Sequence, residues 1–178
     1  GNLVTNANWE SIWLNEGFTT YVQSRIVEDA YGPERERMET ALSEQDLLVE
    51  LSESATEDQT FRPKLAGRDP DDGLSAVPYD KGHWFLRWLE ESFGRKDFDL
   101  FLRSWFDAHA FQSVSTDQFL AYLNSELLAK HPGVVTQAQI NQWVDMPGIP
   151  TFAKPAVSNK FIEIDRLIAL FNSDQVAA

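Results

Sequence analysis

Residues 13–33 read WLNEGFTTYVQSRIVEDAYGP, and this stretch sets the expected fold. Its apolar side chains recur at the spacing of an amphipathic α-helix. The pattern predicts a helix from about residue 14 to residue 30. Gly32 and Pro33 end it, because glycine suits a helix C-terminus and proline suits the first turn of the next helix. The expected buried face of this helix carries Phe18, Tyr21, Val22, Ile26 and Ala30.

The helical pattern continues along most of the chain. A second long helix is expected from Pro33 to about Ser52, with Met38, Leu42, Leu47, Leu48 and Leu51 as its buried residues. Thr5 or Asn6 is expected to cap a short helix that runs through Trp13. Further helices are predicted at 79–94, 96–110, 115–130 (behind a Ser/Thr cap), 137–144 and 159–171. The predicted fold class is therefore all-α, a bundle of packed helices.

The composition supports a sizeable core. Of the 178 residues, 43% are hydrophobic and 12% are aromatic, which excludes a disordered chain. Aromatic residues recur at helical intervals between positions 84 and 106, so we expect them in the core rather than in the wall of a substrate site. They are Trp84, Phe85, Trp88, Phe98, Phe101, Trp105 and Phe106.

Charge and cysteine content exclude several classes of function. A formal net charge of -13 argues against a nucleic-acid partner, which requires a basic face. The chain has no cysteine, so disulfides and thiolate metal sites are excluded. No stretch approaches the roughly 18 apolar residues of a membrane span, and the first residues lack the pattern of a signal peptide. The sequence is typical of a soluble protein and does not indicate its compartment.

A carboxylate lies within the apolar run at the start of the first long helix. Glu16 follows Trp13 and Leu14 and precedes Phe18. One interpretation is structural, because an acidic side chain near a helix N-terminus interacts favourably with the helix dipole, by up to about 1 kcal/mol. The other interpretation is that Glu16 ligates a metal ion.

The neighbours of Glu16 favour metal ligation. The segments GNLVT at residues 1–5 and WLNEGF at residues 13–18 resemble the region downstream of the zinc motif in the gluzincin aminopeptidases, the family of aminopeptidase N and leukotriene hydrolase. In that family the third zinc ligand is a Glu, separated by eighteen residues from the second His of His-Glu-x-x-His. If Gly1 matches the family's glycine, the Glu at this spacing is Glu16.

A second segment carries the same resemblance. SAVPYDKG at residues 75–82 is similar to the family's V-x-Y-x-K-G segment, whose Tyr hydrogen-bonds the tetrahedral intermediate of hydrolysis. The resemblance therefore implies that Tyr79 is a catalytic hydrogen-bond donor to the developing oxyanion. The structural alternative is that Tyr79 caps the helix that begins there and packs on Trp84 or Phe85.

The resemblance also implies a domain organisation and a fold. Residues 1–146 are expected to be the helical part of a peptidase catalytic domain, equivalent to the C-terminal helical half of a thermolysin-like catalytic domain. Residues 147–158 are expected to be a Pro-rich linker, and residues 159–178 the start of a following helical domain. The polar stretch 53–78 reads as a long loop, which is more often functional than idle inside a compact domain.

The 178 residues contain no His-Glu-x-x-His segment, and His83, His109 and His131 lack the spacing of zinc ligands. Each of these histidines is expected at a helix surface or helix end. The resemblance implies zinc and a peptide substrate for the parent protein. This chain alone is expected to be an inactive fragment without zinc. Its truncated apolar surface is expected to cause self-association.

Three further residues are weaker candidates for the site. Asn15 and Glu10 flank Glu16 in sequence and are candidates to orient it, although helix capping explains them equally well. Asp71 matches an acid that supports epoxide chemistry in the leukotriene hydrolase branch. The second Tyr of that branch is replaced here by Leu74, which speaks against epoxide hydrolysis, and Asp71 also suits a simple turn.

Two functions remain at this point. The first is a zinc-dependent aminopeptidase that hydrolyses N-terminal peptide bonds. The alternative is a non-catalytic helical module that binds a protein partner on a peptidase-like scaffold.

Overall fold

Apolar periodicity and helix-ending residues place most of the chain in helices. The computed structural model describes residues 2–73 and 75–173. The two long helices are α1, Trp13–Tyr31, and α2, Pro33–Glu53, and they meet at Gly32, whose φ of +89° breaks the helix. Later helices are α3, Gly82–Phe93; α4, Arg95–Ala108; α5, Thr116–Leu123; α6, Gln137–Asp145; and α7, Asn159–Asn172. The predicted all-α class is confirmed.

Several helix ends follow directly from the sequence. Gly94 has a φ of +82° and separates α3 from α4. The Ser115 side chain accepts a hydrogen bond from the Gln118 backbone N–H, and the Gln118 side chain accepts one from the Ser115 backbone in return. This capping box satisfies two amide groups that a helix start leaves unpaired, so the predicted cap of α5 is confirmed.

The N-terminal segment differs from the prediction. Val4–Asn6 forms a short strand, β1, that pairs in parallel with β2, Gln112–Val114. A 3-10 turn, Trp9–Ser11, then leads into α1. The prediction that Thr5 or Asn6 caps a helix through Trp13 was therefore wrong, because the backbone of these residues pairs with a distant strand.

The loop between α2 and α3 contains short turns. Two 3-10 turns, Thr56–Asp58 and Pro70–Gly73, are followed by a π-helical turn, Val77–Lys81, which runs directly into α3. A second π-helical turn, Asn124–Leu128, extends α5. Phe61 anchors the loop to the core and is 1% exposed.

The core is rich in aromatic rings that pack both face to face and edge to face. Trp13 stacks on Phe61 with ring centroids 4.5 Å apart, and it meets Phe119 edge-on. The predicted core aromatics Trp84, Phe85, Trp88, Phe98, Phe101 and Trp105 are buried, and Phe106 is partly buried against them.

Burial of the two long helices was predicted only in part. In α1, Phe18 and Tyr21 are buried, whereas Val22, Ile26 and Ala30 are exposed; in α2, Leu47 is buried, Met38 and Leu51 are half-buried, and Leu42 and Leu48 are exposed. The apolar face in the C-terminal half of α1 is therefore largely at the surface. Periodicity identifies an apolar face but not how far along the helix it is covered.

The segment 147–158 contains no helix or strand but is tied to the bundle. The Lys154 carbonyl accepts hydrogen bonds from Trp84 Nε1 and an Arg87 amino group, and the Ala156 N–H donates to Glu44. None of the α7 residues is buried. The division at 146 and 158 stays a prediction, and 174–178 of the predicted following domain lie outside the described residues.

Candidate active site

Glu16 lies in the first turn of α1 with a half-buried side chain. Its backbone takes part in the helix, since its N–H donates to Ile12 O and its carbonyl accepts from Thr20 Oγ1. Within residues 2–73 and 75–173 its carboxylate makes no hydrogen bond or ion pair. A half-buried carboxylate that no described residue engages is a candidate metal ligand.

Tyr79 lies in the π-helical turn that precedes α3. Its side chain is 37% exposed, and its hydroxyl makes no hydrogen bond to any described residue. Trp84 and Phe85, on which the structural alternative has Tyr79 pack, are by contrast buried in the core. Partial burial, and secondarily the negative charge of Glu16, raise the pKa of the Tyr79 hydroxyl above its ordinary value.

Two glycines bring the elements that carry Glu16 and Tyr79 together. A Cβ atom added to Gly17 would lie 2.9 Å from Gly82 Cα and 3.2 Å from the Pro78 carbonyl oxygen. A Cβ atom added to Gly82 would lie 2.8 Å from Gly17 Cα. The backbones of α1 and the start of α3 therefore touch, which no larger residue permits.

The π-helical turn is also held by a buried lysine. Lys81 is 0% exposed, and its ammonium donates to the carbonyl oxygens of Gln59 at 2.7 Å and Met146 at 2.9 Å. At the start of the turn, the Ala76 N–H donates to Glu50 Oε1 at 2.9 Å. Sequence reasoning did not single out Lys81, Gly17 or Gly82, although all three lie inside or beside the quoted motifs.

The weaker candidates lie in different settings. The Asn15 side chain accepts a hydrogen bond from the Asn6 N–H at 3.0 Å, which ties β1 to the start of α1. Glu10 is exposed on the 3-10 turn before α1. Asp71 is exposed in the turn Pro70–Gly73, where its N–H donates to Asp69 Oδ1 at 3.1 Å. Leu74 and Gly1 lie outside the described residues.

The histidines do not assemble with Glu16. His109 lies at the end of α4 and His131 in a turn after α5. His83 lies in the first turn of α3, a helix end as predicted, but its side chain is buried inside the bundle and is 4% exposed. In the described ranges, no three His, Asp or Glu side chains are grouped to hold a metal ion. Within these ranges Glu16 is therefore not joined by further side chains that would complete a zinc site.

A polar cavity of about 530 Å³ lies away from the candidate site. It is enclosed by α1, α2, α3 and the segment 154–159, and neither Glu16 nor Tyr79 lines it. Its walls carry paired charges, such as Arg25 with Glu90 and Arg95 with Glu28. These charged groups pair with one another, so ion pairs within the protein explain the polar walls of the cavity.

An apolar groove of about 370 Å³ runs along the exposed face of α1. It is lined by Leu14, Phe18, Val22, Ile26 and Val4, together with Phe106 and neighbouring side chains. Such a face favours association, so self-association of the chain stays a prediction, to be checked by light scattering over a range of concentrations. No helix in the described part of the chain combines the length and apolar character of a bilayer span.

Comparisons with known proteins point to peptidases. The chain is 36% identical over 171 residues to leucine aminopeptidase 2 of Ajellomyces capsulatus, covering 92% of this chain and 27% of that protein. It is 36% identical over 159 residues to aminopeptidase B of Rattus norvegicus, covering 85% of this chain and 24% of that protein. This chain thus spans about a quarter of the length of these relatives.

Solved structures agree with the sequence relatives. The native leukotriene A4 hydrolase of Saccharomyces cerevisiae superposes with a TM-score of 0.86 at 29% identity, covering 100% of this chain and 29% of that chain. The M1 zinc metallopeptidase of Deinococcus radiodurans shares the fold, with a TM-score of 0.64 at 23% identity over 85% of this chain and 31% of that chain. Residues 1–145 match the Peptidase family M1 domain, which confirms the resemblance, and the chain belongs to the M1 peptidase family.

Proposed function

We propose that the whole protein containing this chain is a zinc-dependent aminopeptidase that removes N-terminal residues from peptides. In this proposal Glu16 is the carboxylate ligand of zinc, and Tyr79 is the hydrogen-bond donor to the carbonyl oxygen of the scissile bond. The observation that carries the proposal is the pairing of a carboxylate and a phenol, neither engaged by a described residue, on two backbones in direct contact. The aminopeptidase names of the relatives support the reaction class.

The Glu16 side chain suits one ligand position. Catalytic zinc sites use three protein ligands, often two His and one Glu, and leave a further position open. When bound, zinc lowers the pKa of water and polarises a carbonyl group. Glu16 would contribute its carboxylate from the rigid first turn of α1, which fixes the position of the ligand.

Tyr79 suits the role of oxyanion donor. As the peptide carbonyl is attacked, negative charge develops on its oxygen, and a donor aimed there stabilises the transition state more than the ground state. A phenol has an ordinary pKa of about 10, so at pH 7 it carries the proton that it donates and adds no charge. The Tyr79 hydroxyl has no competing acceptor among the described residues.

The chain of 178 residues by itself supplies one of the three expected ligands. We therefore expect it to hold no stoichiometric zinc and to hydrolyse no peptide when purified alone. A metal assay that found one zinc ion bound at Glu16 in this chain would contradict the proposal. The weaker candidates Asn15, Glu10 and Asp71 stay candidates to orient ligand or substrate. Leu74 at the position of the second Tyr speaks against epoxide hydrolysis.

Activity of the whole protein tests the proposal. We expect cleavage of aminoacyl-arylamides, and we expect Tyr79→Phe to lower kcat by about 100-fold or more with zinc content unchanged. Tyr31→Phe is the matched control, because Tyr31 is 76% exposed at the far end of α1. An unchanged kcat in Tyr79→Phe would contradict the role of Tyr79. No hydrolysis by the zinc-loaded whole protein would favour the non-catalytic interaction module.

A further inference from the structure

Lys81 is the most completely buried charged group near the candidate site. It closes the π-helical turn Val77–Lys81, two residues after Tyr79, and its side chain is 0% exposed. A lysine is almost never fully buried unless partners replace its hydration. The hydrogen-bond partners of Lys81 show which segments of the chain it connects.

The Lys81 ammonium joins three separate segments of the chain. It donates to the Gln59 carbonyl in the long loop at 2.7 Å and to the Met146 carbonyl after α6 at 2.9 Å. It also lies 5.3 Å from the centroid of the Phe61 ring, within the range of a cation–π contact. Met146 caps the C-terminal end of α6, where the helix dipole favours a positive charge.

The segments that receive Lys81 are themselves fixed. Gln59 is 5% exposed, and its side-chain amide donates to the carbonyls of Leu51 and Ser54 at the end of α2. Phe61 stacks on Trp13 in the core. Lys81 therefore anchors the π-helical turn to loop residues that are themselves buried and held by hydrogen bonds or ring stacking.

The same turn also rests on α1. Gly82, the next residue, touches the backbone of Gly17, which neighbours Glu16. The turn that carries Tyr79 is thus held both by the Lys81 hydrogen bonds and by the glycine contact. A π-helical turn closes with i→i+5 bonds instead of the usual i→i+4, so relaxation to an α-helix would change the direction of the Tyr79 side chain.

We propose that Lys81 is a positioning residue that holds the π-helical turn so that the Tyr79 hydroxyl faces the Glu16 side of the site. Lys81 touches neither substrate nor reacting atoms, and it acts through Tyr79. This inference rests on the proposed function of Tyr79.

A double-mutant cycle in the whole protein tests this role. Lys81→Met keeps the apolar stem of the side chain but removes the ammonium, and with it the two hydrogen bonds to carbonyl groups and the cation–π contact with Phe61. We expect kcat to fall about 10- to 100-fold, with KM changed less than about threefold and zinc retained. In the Tyr79→Phe background the same substitution should lower kcat by less than about threefold, because the group it positions is already gone. Lys64→Met is the control, since Lys64 is exposed in the same loop, and it should leave kcat unchanged.

The outcomes separate this inference from the proposed function. If Tyr79→Phe alone leaves kcat unchanged, the proposed role of Tyr79 fails, and the positioning role of Lys81, which acts through Tyr79, is overturned with it. If Tyr79→Phe slows turnover but Lys81→Met leaves kcat unchanged or lowers it equally in both backgrounds, the positioning role is overturned. Should Lys81→Met not fold, Lys81→Gln, which keeps an N–H donor, is read by the same criteria. Failure of both variants to fold would show that Lys81 serves the whole fold and would also overturn the positioning role.

Discussion

Trp13 shows how one side chain joins distant parts of this chain. It is 1% exposed, its ring stacks on Phe61, and its Nε1–H donates to Thr116 Oγ1 at 3.0 Å. Thr116 Oγ1 in turn lies 3.2 Å from Ser11 Oγ and donates to it. The start of α1, the long loop and the start of α5 therefore meet at this indole, three residues before Glu16.

Truncation of Trp13 is expected to be strongly destabilising. Trp13→Ala should lower the free energy of unfolding by about 3–5 kcal/mol, because it leaves a cavity in the core and removes the hydrogen bond to Thr116. Chemical denaturation of the 178-residue chain measures this difference. The control is Trp9→Ala, expected to change stability by less than about 1 kcal/mol, because Trp9 is 50% exposed. Equal losses in both variants would contradict this account of the core.

Single residues were predicted well where local chemistry decides their role. Gly32 and Gly94 adopt positive φ values where helices end, as their sequence context predicts. Val22 and Ile26 were predicted buried and are exposed, because burial depends on what covers a face and not on the periodicity of that face. The resemblance singled out Glu16 and Tyr79, but it contained no information on their hydrogen-bond partners.

Among the elements, the contact between α1 and the start of α3 places the candidate site. Gly17 and Gly82 allow the two backbones to touch, and the π-helical turn between the long loop and α3 presents Tyr79 at that contact. Glycine in a helix interior normally costs about 1 kcal/mol relative to alanine. Its presence in both elements is explained by the close approach.

Replacement of Gly17 should therefore reverse the usual effect of a Gly→Ala change in a helix. Gly17→Ala is expected to destabilise the chain by about 1–3 kcal/mol, because its Cβ would lie 2.9 Å from backbone that cannot give way. The denaturation midpoint should fall, whereas the exposed neighbour Thr19→Ala should shift stability by no more than about 0.5 kcal/mol. A Gly17→Ala variant more stable than the wild type would show that the contact is looser than described.

Element boundaries were predictable to a few residues where caps and glycines mark them. The helices after Pro33, Gly94 and Ser115 begin as predicted. The strands β1 and β2 were missed, because three residues are too few to show a period and their partners lie 108 positions apart. The π-helical turns were missed because their residues also suit an α-helix.

Over the whole molecule, ionisable groups buried in the bundle make stability depend on pH. Burial, and secondarily the charge of Arg87, lower the pKa of His83 from 6.5 to about 4. Burial, and secondarily the charges of Glu50 and Asp46, raise the pKa of Asp80 to about 6. Between pH 6.5 and 4 the unfolded chain binds a proton at His83 that the folded chain does not, so acidification destabilises the fold through this group. Asp80 has the opposite effect on stability between about pH 6 and 4, because there the folded chain binds a proton at Asp80 that the unfolded chain does not.

Removal of His83 should isolate its contribution. We expect the difference in unfolding free energy between wild type and His83→Gln to shrink by up to about 3 kcal/mol as the pH falls from 7 to 4. Asp80 is present in both proteins, so its effect cancels in the comparison. Denaturation curves at several pH values measure it, and a difference that does not vary with pH would show that His83 is not buried in its neutral form.

At this scale the fold class was predictable because helix signals recur along most of the chain. The family was predictable because two of its motifs are present in the right order. The extent of the covered surface was not predictable, since it depends on contacts between distant elements. The exposed apolar groove along α1 is one result, and the burial of His83 is another.

The zinc content of the whole protein tests the central claim most directly. Wild type is expected to bind one zinc ion per chain, and Glu16→Gln should lose most of it, since a neutral amide is a poor replacement for the carboxylate ligand. Glu53→Gln, an exposed change at the end of α2, should retain the wild-type content. Full zinc occupancy in Glu16→Gln would contradict the assignment of Glu16 as a zinc ligand.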